Sequence, residues 1–272
     1  MRTSRLTNSD LRTTILLFAL MFLFIVFTGQ SHAAMSSQKE SLPQLVDETT
    51  TGAQSGDARA QYLLARKYRD GEGVIRNYNR AITWYEKSAQ QEFGPAQIDL
   101  GYLYANGQGV EVDYELAAYW FQKAADQGFA TAQFNLGNMY RGGQGVKKDD
   151  KQAAKWYELA AQDGFVNAQY NLALMYHYGM GVEKSLEKEI YWYQQAANLG
   201  LARAQFFLAS AYEEGRGVKK DLVAAYRWYE KASKNGDADA YNNLVLLRTQ
   251  MSQDEIKTAE NQISHDNGLV SQ

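Results

Sequence analysis

Two Ser-x-x-Lys sequences, Ser36 to Lys39 and Ser185 to Lys188, hold the residue types of an acyl-transfer nucleophile and its base. Penicillin-recognising enzymes join that motif to Ser-Asp-Asn and Lys-Thr-Gly, and neither companion occurs in this chain. Ser36 follows an apolar N-terminal segment, and Ser185 stands where a helix should begin, so chance occurrence accounts for both. Three histidines, His32, His177 and His265, lack the spacing of a second metal ligand. Without cysteine the chain has no disulfide, thiolate metal site or thiol nucleophile. Five Gly-x-Gly-Val sequences lack the third glycine, the lysine and the preceding strand of a phosphate loop, and read instead as turns. No cofactor and no metal are expected.

The elements that carry these residues are copies of one unit. Trp84, Trp120, Trp156, Trp192 and Trp228 are spaced by 36 residues. The same step links Ala60 to Ala96, Ala132, Ala168, Ala204 and Ala240, and Gln61 to Gln97, Gln133, Gln169 and Gln205. It also links Leu64 to Leu100, Leu136, Leu172, Leu208 and Leu244. Fixed spacing without insertions means that each unit meets the same packing problem, which predicts a solenoid with nearest-neighbour contacts.

Each unit reads as two helices. Gln61, Leu64, Ala65 and Tyr68 share one helical face in the first, and Ala81, Trp84, Tyr85 and Ser88 share one in the second. Paired glycines such as Gly143 and Gly145 suit a link that needs positive φ. Asn77, Asp113, Asp149, Ser185 and Asp221 then stand as N-caps of the second helices. The tryptophan column is expected between stacked hairpins, and the glutamine column is expected to satisfy buried backbone groups. At the C-terminus no tryptophan follows Leu244, and Ser252 to Glu255 has the form of a capping box ahead of Ile256, Ala259 and Ile263.

This pattern resembles the Sel1-like repeat family. Residues 129–164 show it nearly whole: Ala132, Gln133, Leu136, Gly137, Tyr140, Gly143, Gly145, Val146, Asp149, Ala153, Trp156, Tyr157, Ala160, Ala161 and Gly164. The resemblance covers about 57 to 249 and implies an all-α chain, an α/α solenoid superhelix of helix-turn-helix repeats that binds other proteins. Five repeats are expected at 57–92, 93–128, 129–164, 165–200 and 201–236. Before them stand a capping helix at 41–56 and a linker at 35–40; after them come a half repeat with a capping helix at 237–264 and a flexible tail at 265–272. Glu92 departs from the pattern at a repeat-end glycine, Ser233 at an alanine, and Glu189 at the small residue of Ala81, Ala117, Ala153 and Ala225.

Residues 1–34 read as a cleavable secretory signal. Arg2, Arg5 and Arg12 precede an apolar run from Ile15 to Phe27, and Ser31-His32-Ala33 supplies small residues for cleavage. The alternative is an uncleaved anchor. Export from a bacterium places the mature chain in the periplasm or outside the cell, without a membrane span. Removing three arginines and Asp10 leaves 25 basic and 30 acidic residues, so the net charge moves from -3 to -5. That gives no footprint for nucleic acid.

Function is expected where the repeat columns vary, because those positions are not fixed by packing. On the first helices the face turned from the core carries Asp99, Tyr102, Asn135, Asn138, Asn167, Asn171, Leu174 and Phe207. If first helices line the concave side, as the resemblance implies, these form an Asn-rich groove with apolar spots for a protein partner, an envelope protein being favoured. The function read from this is a non-enzymatic interaction scaffold or regulator; the alternative is a peptidoglycan-related or β-lactamase-like hydrolase.

Overall fold

The computed structural model describes residues 48–268, and the chain divides into two compact units, residues 1–84 and 85–272. The signal segment, the linker, the first Ser-x-x-Lys and the start of the expected capping helix lie outside the described residues. Among the described residues there are helices and turns and no strand.

In the first unit, α1 covers residues 48–54, α2 runs Ala58–Asp70, and α3, Tyr78–Gln90, begins. Asp57 caps α2 by accepting from the Ala60 N–H at 2.6 Å, and Gln61 donates to the Ala53 carbonyl at 3.2 Å. In the second unit follow α4 (Gly94–Asn106), α5 (Tyr114–Asp126), α6 (Ala130–Gly142), α7 (Asp150–Gln162), α8 (Val166–Tyr178) and α9 (Leu186–Asn198). The remaining helices are α10 (Ala202–Glu214), α11 (Leu222–Lys234), α12 (Ala238–Gln250) and α13 (Gln253–Gly268). Within this unit α4–α5, α6–α7, α8–α9 and α10–α11 pack as hairpins, and each second helix packs on the next first helix.

One hairpin shows why the sequence turns where it does. Helix α6 ends at Gly143, which adopts φ 68° and donates its N–H to the Met139 carbonyl. The Asp149 N–H then returns to the Tyr140 carbonyl at 2.9 Å, and the Asp149 side chain accepts from Lys151 and Gln152 to start α7. Gly145 has a second reason to be glycine. A Cβ there would stand 1.9 Å from the Tyr114 carbonyl oxygen, so the loop of one repeat lies directly on the first turn of α5 in the repeat before.

The glutamine column does what its place in an apolar face requires. Gln97, Gln133, Gln169 and Gln205 are buried and donate to Ala89, Ala125, Ala161 and Ala197, carbonyls near the end of the preceding second helix. Each of those carbonyls, past the reach of its own helix's amides, also accepts the N–H three residues on, from Glu92, Gly128, Gly164 or Gly200, and the glutamine adds a second bond. The tryptophan column is less deep than expected. Trp156 and Trp192 are buried but Trp120 and Trp228 only half-buried, whereas the next residue in the chain, Tyr157, Tyr193 or Tyr229, is 0–1% exposed. Small residues on the facing first helix make room for that ring: a Cβ on Gly137 would meet Tyr157 at 2.7 Å.

At the C-terminal end, Ser252 and Glu255 exchange the two bonds of a capping box. Helix α13 packs on α11, burying Ile256 and Ala259. It is helical as far as Gly268, which takes in residues 265–268 of the expected tail. Residues 269–272 lie outside the described residues. Glu92, in place of a repeat-end glycine, is forced to φ 62°.

Candidate functional site

The first helices of the second unit place the expected surface residues in two columns, with Asn167 alone in a third. Asp99, Asn135, Asn171 and Phe207 share one position on α4, α6, α8 and α10, and Tyr102, Asn138 and Leu174 share the position three residues later. Asn167 is exposed and Tyr102 is 37% exposed; Asp99, Asn135, Asn138, Asn171, Leu174 and Phe207 are half-buried. This face is therefore not a free solvated one. Consecutive first helices approach closely enough for the columns to bond diagonally.

Asn135 donates its Nδ2 hydrogens to the Tyr102 hydroxyl at 2.7 Å and to the Thr131 carbonyl at 2.8 Å. The Tyr157 hydroxyl, at the edge of the core, donates to Asn138 Oδ1 at 2.6 Å. Burial pushes the Tyr157 phenol up, while nearby Arg141 and Asn171 pull the other way. Leu174 packs against the core, and Phe207 stacks on Tyr193 with ring centroids 5.2 Å apart and planes 14° apart. The Arg203 guanidinium lies 5.0 Å over the Phe207 ring and bonds Asp239 at 2.8 Å and Asp237 at 3.3 Å. Arg203 occupies the column of Asn167, and its two acidic partners belong to the atypical end of the array.

The residues with catalytic types are arranged differently. Ser185 Oγ accepts the Lys188 N–H at 3.3 Å and caps α9, while Lys188 Nζ bonds the Tyr176 hydroxyl at 3.4 Å and lies 5.0 Å over its ring. All three line an open cavity of about 490 Å³. His177 and His265 sit on α8 and α13, and among the described residues no group of three or more His, Cys, Asp or Glu is placed to hold a metal ion.

A charged cluster not anticipated from sequence surrounds Glu189. Its side chain is 0% exposed in a column otherwise filled by alanine. Arg216, between the paired glycines of the next repeat, donates to Glu189 Oε1, and His177 Nδ1 lies 3.1 Å from the same oxygen. Glu189 Oε2 is buried without a partner. Arg216 also approaches Glu214 at 3.4 Å and His177 Nδ1 at 3.3 Å. The only signal in the sequence was the break in the alanine column; the compensating arginine lies in a loop position that otherwise varies freely.

Known proteins share this arrangement. The Sel1 repeat model matches residues 58–93, 94–129, 130–165, 166–201 and 202–237, one residue later than the boundaries read from the columns. The chain is 31% identical to a protective antigen present in uropathogenic Escherichia coli strains, whose crystal structure displays an SLR fold; the TM-score is 0.75 over 83% of this chain and 49% of that one. It thus spans about half the length of that protein. It is 33% identical to a Sel1 repeat protein from Oxalobacter formigenes, with a TM-score of 0.66 over 76% of this chain and 82% of that one. No curated protein matches the chain.

Proposed function

Because the chain belongs to the Sel1 repeat family, whose members generally mediate protein–protein interaction, we propose that it is an exported, non-enzymatic scaffold or regulator that holds a protein partner on the first-helix face of its repeats. The observation that carries this reading is the contrast between columns. Buried positions repeat as Gln, Leu and Ala, whereas the position of Asp99 becomes Asn135, Asn171 and Phe207 in successive repeats. Packing does not demand that variation, and a partner does. The E. coli relative's description as a protective antigen fits an exported chain, as does the charged-then-apolar N-terminus. Among the described residues no helix is long and apolar enough to cross a membrane.

Crosslinking a tagged chain in intact cell envelopes, followed by mass spectrometry, identifies the partner. Replacing Tyr102, Leu174 and Phe207 together should abolish its capture; capture unchanged in a folded variant moves the site to the second helices or loops. Mass analysis of the mature chain should find a start near Met35, and full-length protein in membranes would establish the anchored alternative. The cavity shared by Ser185, Lys188 and Tyr176 supports a hydrolase as the second reading. A labelled penicillin tests it directly: a stoichiometric adduct on Ser185 would make the chain an enzyme, and the scaffold reading expects none.

A further inference from the structure

The outer positions of the second helices carry no acid. Val112, Leu116, Tyr119 and Lys123 lie at i, i+4, i+7 and i+11, and steps of 36 residues lead from them, in and just before α5, α7, α9 and α11, to Lys220, Ala224, Arg227 and Lys231. Half of these positions hold lysine or arginine and none holds aspartate or glutamate, although the chain has 31 acidic residues against 28 basic, so composition does not account for the pattern. All of them are exposed or half-buried. Beside α9, Lys184 from the turn and Lys188 from the helix line one cavity with Glu183, which places turn and helix cations on the same side.

The same face is also apolar. Tyr119 and Tyr191 are 50% and 53% exposed, and Val112 and Leu116 are exposed next to the first of them. Lys123 Nζ lies 5.7 Å over the Tyr119 ring, and Lys155 Nζ lies 5.5 Å over that of Trp156, so cation and ring sit at one depth. Acids of these helices fall to one flank. Glu158 and Glu230 follow Lys155 and Arg227 by three residues, about 60° round the helix on the side away from the tryptophans, and Glu230 is held by Lys234 at 2.7 Å. We propose that this face rests on the surface of a bilayer containing anionic phospholipid. Its lysines pair with headgroup phosphates, while Leu116, Tyr119 and Tyr191 enter the boundary between headgroups and acyl chains, where amphipathic rings and long basic side chains settle. An acidic protein or a nucleic acid would answer the charges and leave those apolar side chains in water. The inference goes beyond the scaffold reading and is independent of it, because the first helices stay free for a protein partner.

Vesicle sedimentation tests it. The exported chain, purified without detergent, should be carried down at low salt by phosphatidylcholine vesicles holding about 30% phosphatidylglycerol, and released by about 0.5 M salt. Vesicles of phosphatidylcholine alone should bind at least tenfold less. Lys148→Gln, Lys184→Gln and Lys220→Gln should each lower the partition coefficient about fivefold, the effect of one basic side chain near such a surface, with partner capture through the first helices unchanged. Tyr119→Ser combined with Tyr191→Ser should lower it at least threefold while circular dichroism stays that of the parent. Immobilised polyglutamate is the second probe, and should hold the chain weakly. Equal binding to both kinds of vesicle, or no binding to the anionic kind, overturns the proposal. Retention on polyglutamate that rivals the anionic vesicles and ignores the tyrosine changes overturns it too, in favour of a soluble acidic partner.

Discussion

Replacing Arg216 by alanine leaves Glu189 as a carboxylate wholly out of water, with His177 its one remaining partner. Breaking a buried ion pair from one side costs about 3–5 kcal/mol, because the abandoned charge is not resolvated. Arg216 is a quarter exposed, so water can enter where its head group stood, and the expected loss is about 2–4 kcal/mol. Glu189→Ala behaves differently. It restores the residue found at Ala81, Ala117, Ala153 and Ala225, all 0% exposed, removes the unpartnered Oε2, and leaves Arg216 with Glu214. That change should fall within about 1 kcal/mol of the parent, since the lost pairing is offset by the lost desolvation. The double variant should match Glu189→Ala, giving an interaction energy of about 2–4 kcal/mol from the cycle. Urea denaturation followed by circular dichroism and tryptophan fluorescence measures all four chains. If Arg216→Ala costs under about 0.5 kcal/mol, or the double variant is as unstable as Arg216→Ala alone, the carboxylate is not isolated from water and the argument fails.

Gly145→Ala should be severely destabilising and loosen repeats 2 and 3 locally, as read by hydrogen exchange, because it adds positive-φ strain to a clash with the Tyr114 backbone. Glu92→Gly should stabilise by about 0.5–1 kcal/mol in the same denaturation assay, since it releases a left-handed φ and meets no packing demand at the equivalent glycines. Trp156→Ala should cost about 3 kcal/mol, the lower end for a buried tryptophan. Alkali should unfold the chain. Burial, then the Glu86 carboxylate 3.0 Å away, pushes Tyr104 up to about 12, and burial raises Tyr157, Tyr193 and Tyr229 as well. The unfolded chain loses these protons near pH 10 while the folded chain holds them, so stability is complete below pH 10 and falls from there toward 12. Tyrosinate absorbance titrated in native and urea-unfolded chains should separate in that window.

Most of the fold was legible because its causes are local and repeated. A glycine that must take positive φ, an aspartate that must cap, and a glutamine that must reach a carbonyl eight residues back each recur at one position and so announce themselves. The candidate surface was legible only as a set of positions. Which way Asn135 and Asn138 face depends on Tyr102 and Tyr157, partners on other helices at separations of 33 and 19 residues, and no column records such a pairing. The same holds for Glu189: its misfit was visible, but its cure, Arg216, lies 27 residues on in a loop. The depth of the tryptophans was misjudged because size was taken for burial; the aromatic residue that follows, Phe121, Tyr157, Tyr193 or Tyr229, lies deeper, and Phe121 and Tyr157 fill the space left by Gly101 and Gly137 on the facing helix.

The glutamine bonds also bear on how such a chain changes length. Each one reaches back across a repeat boundary to the helix just completed, and the side chains of Gln97 and Gln205 also accept from Gln127 and Asn235 at the end of their own repeat. A duplication of 36 residues therefore brings its own splice: the copied glutamine finds a copied carbonyl, the copied loop glycine finds a copied helix turn, and no old bond must be rewritten. A duplication of 35 or 37 residues would rotate the next helix by about 100° and break every such joint at once. Unequal recombination in the coding sequence is thus filtered by the helix pitch, so the gene can gain or lose whole cassettes while the exposed letters within each one drift independently.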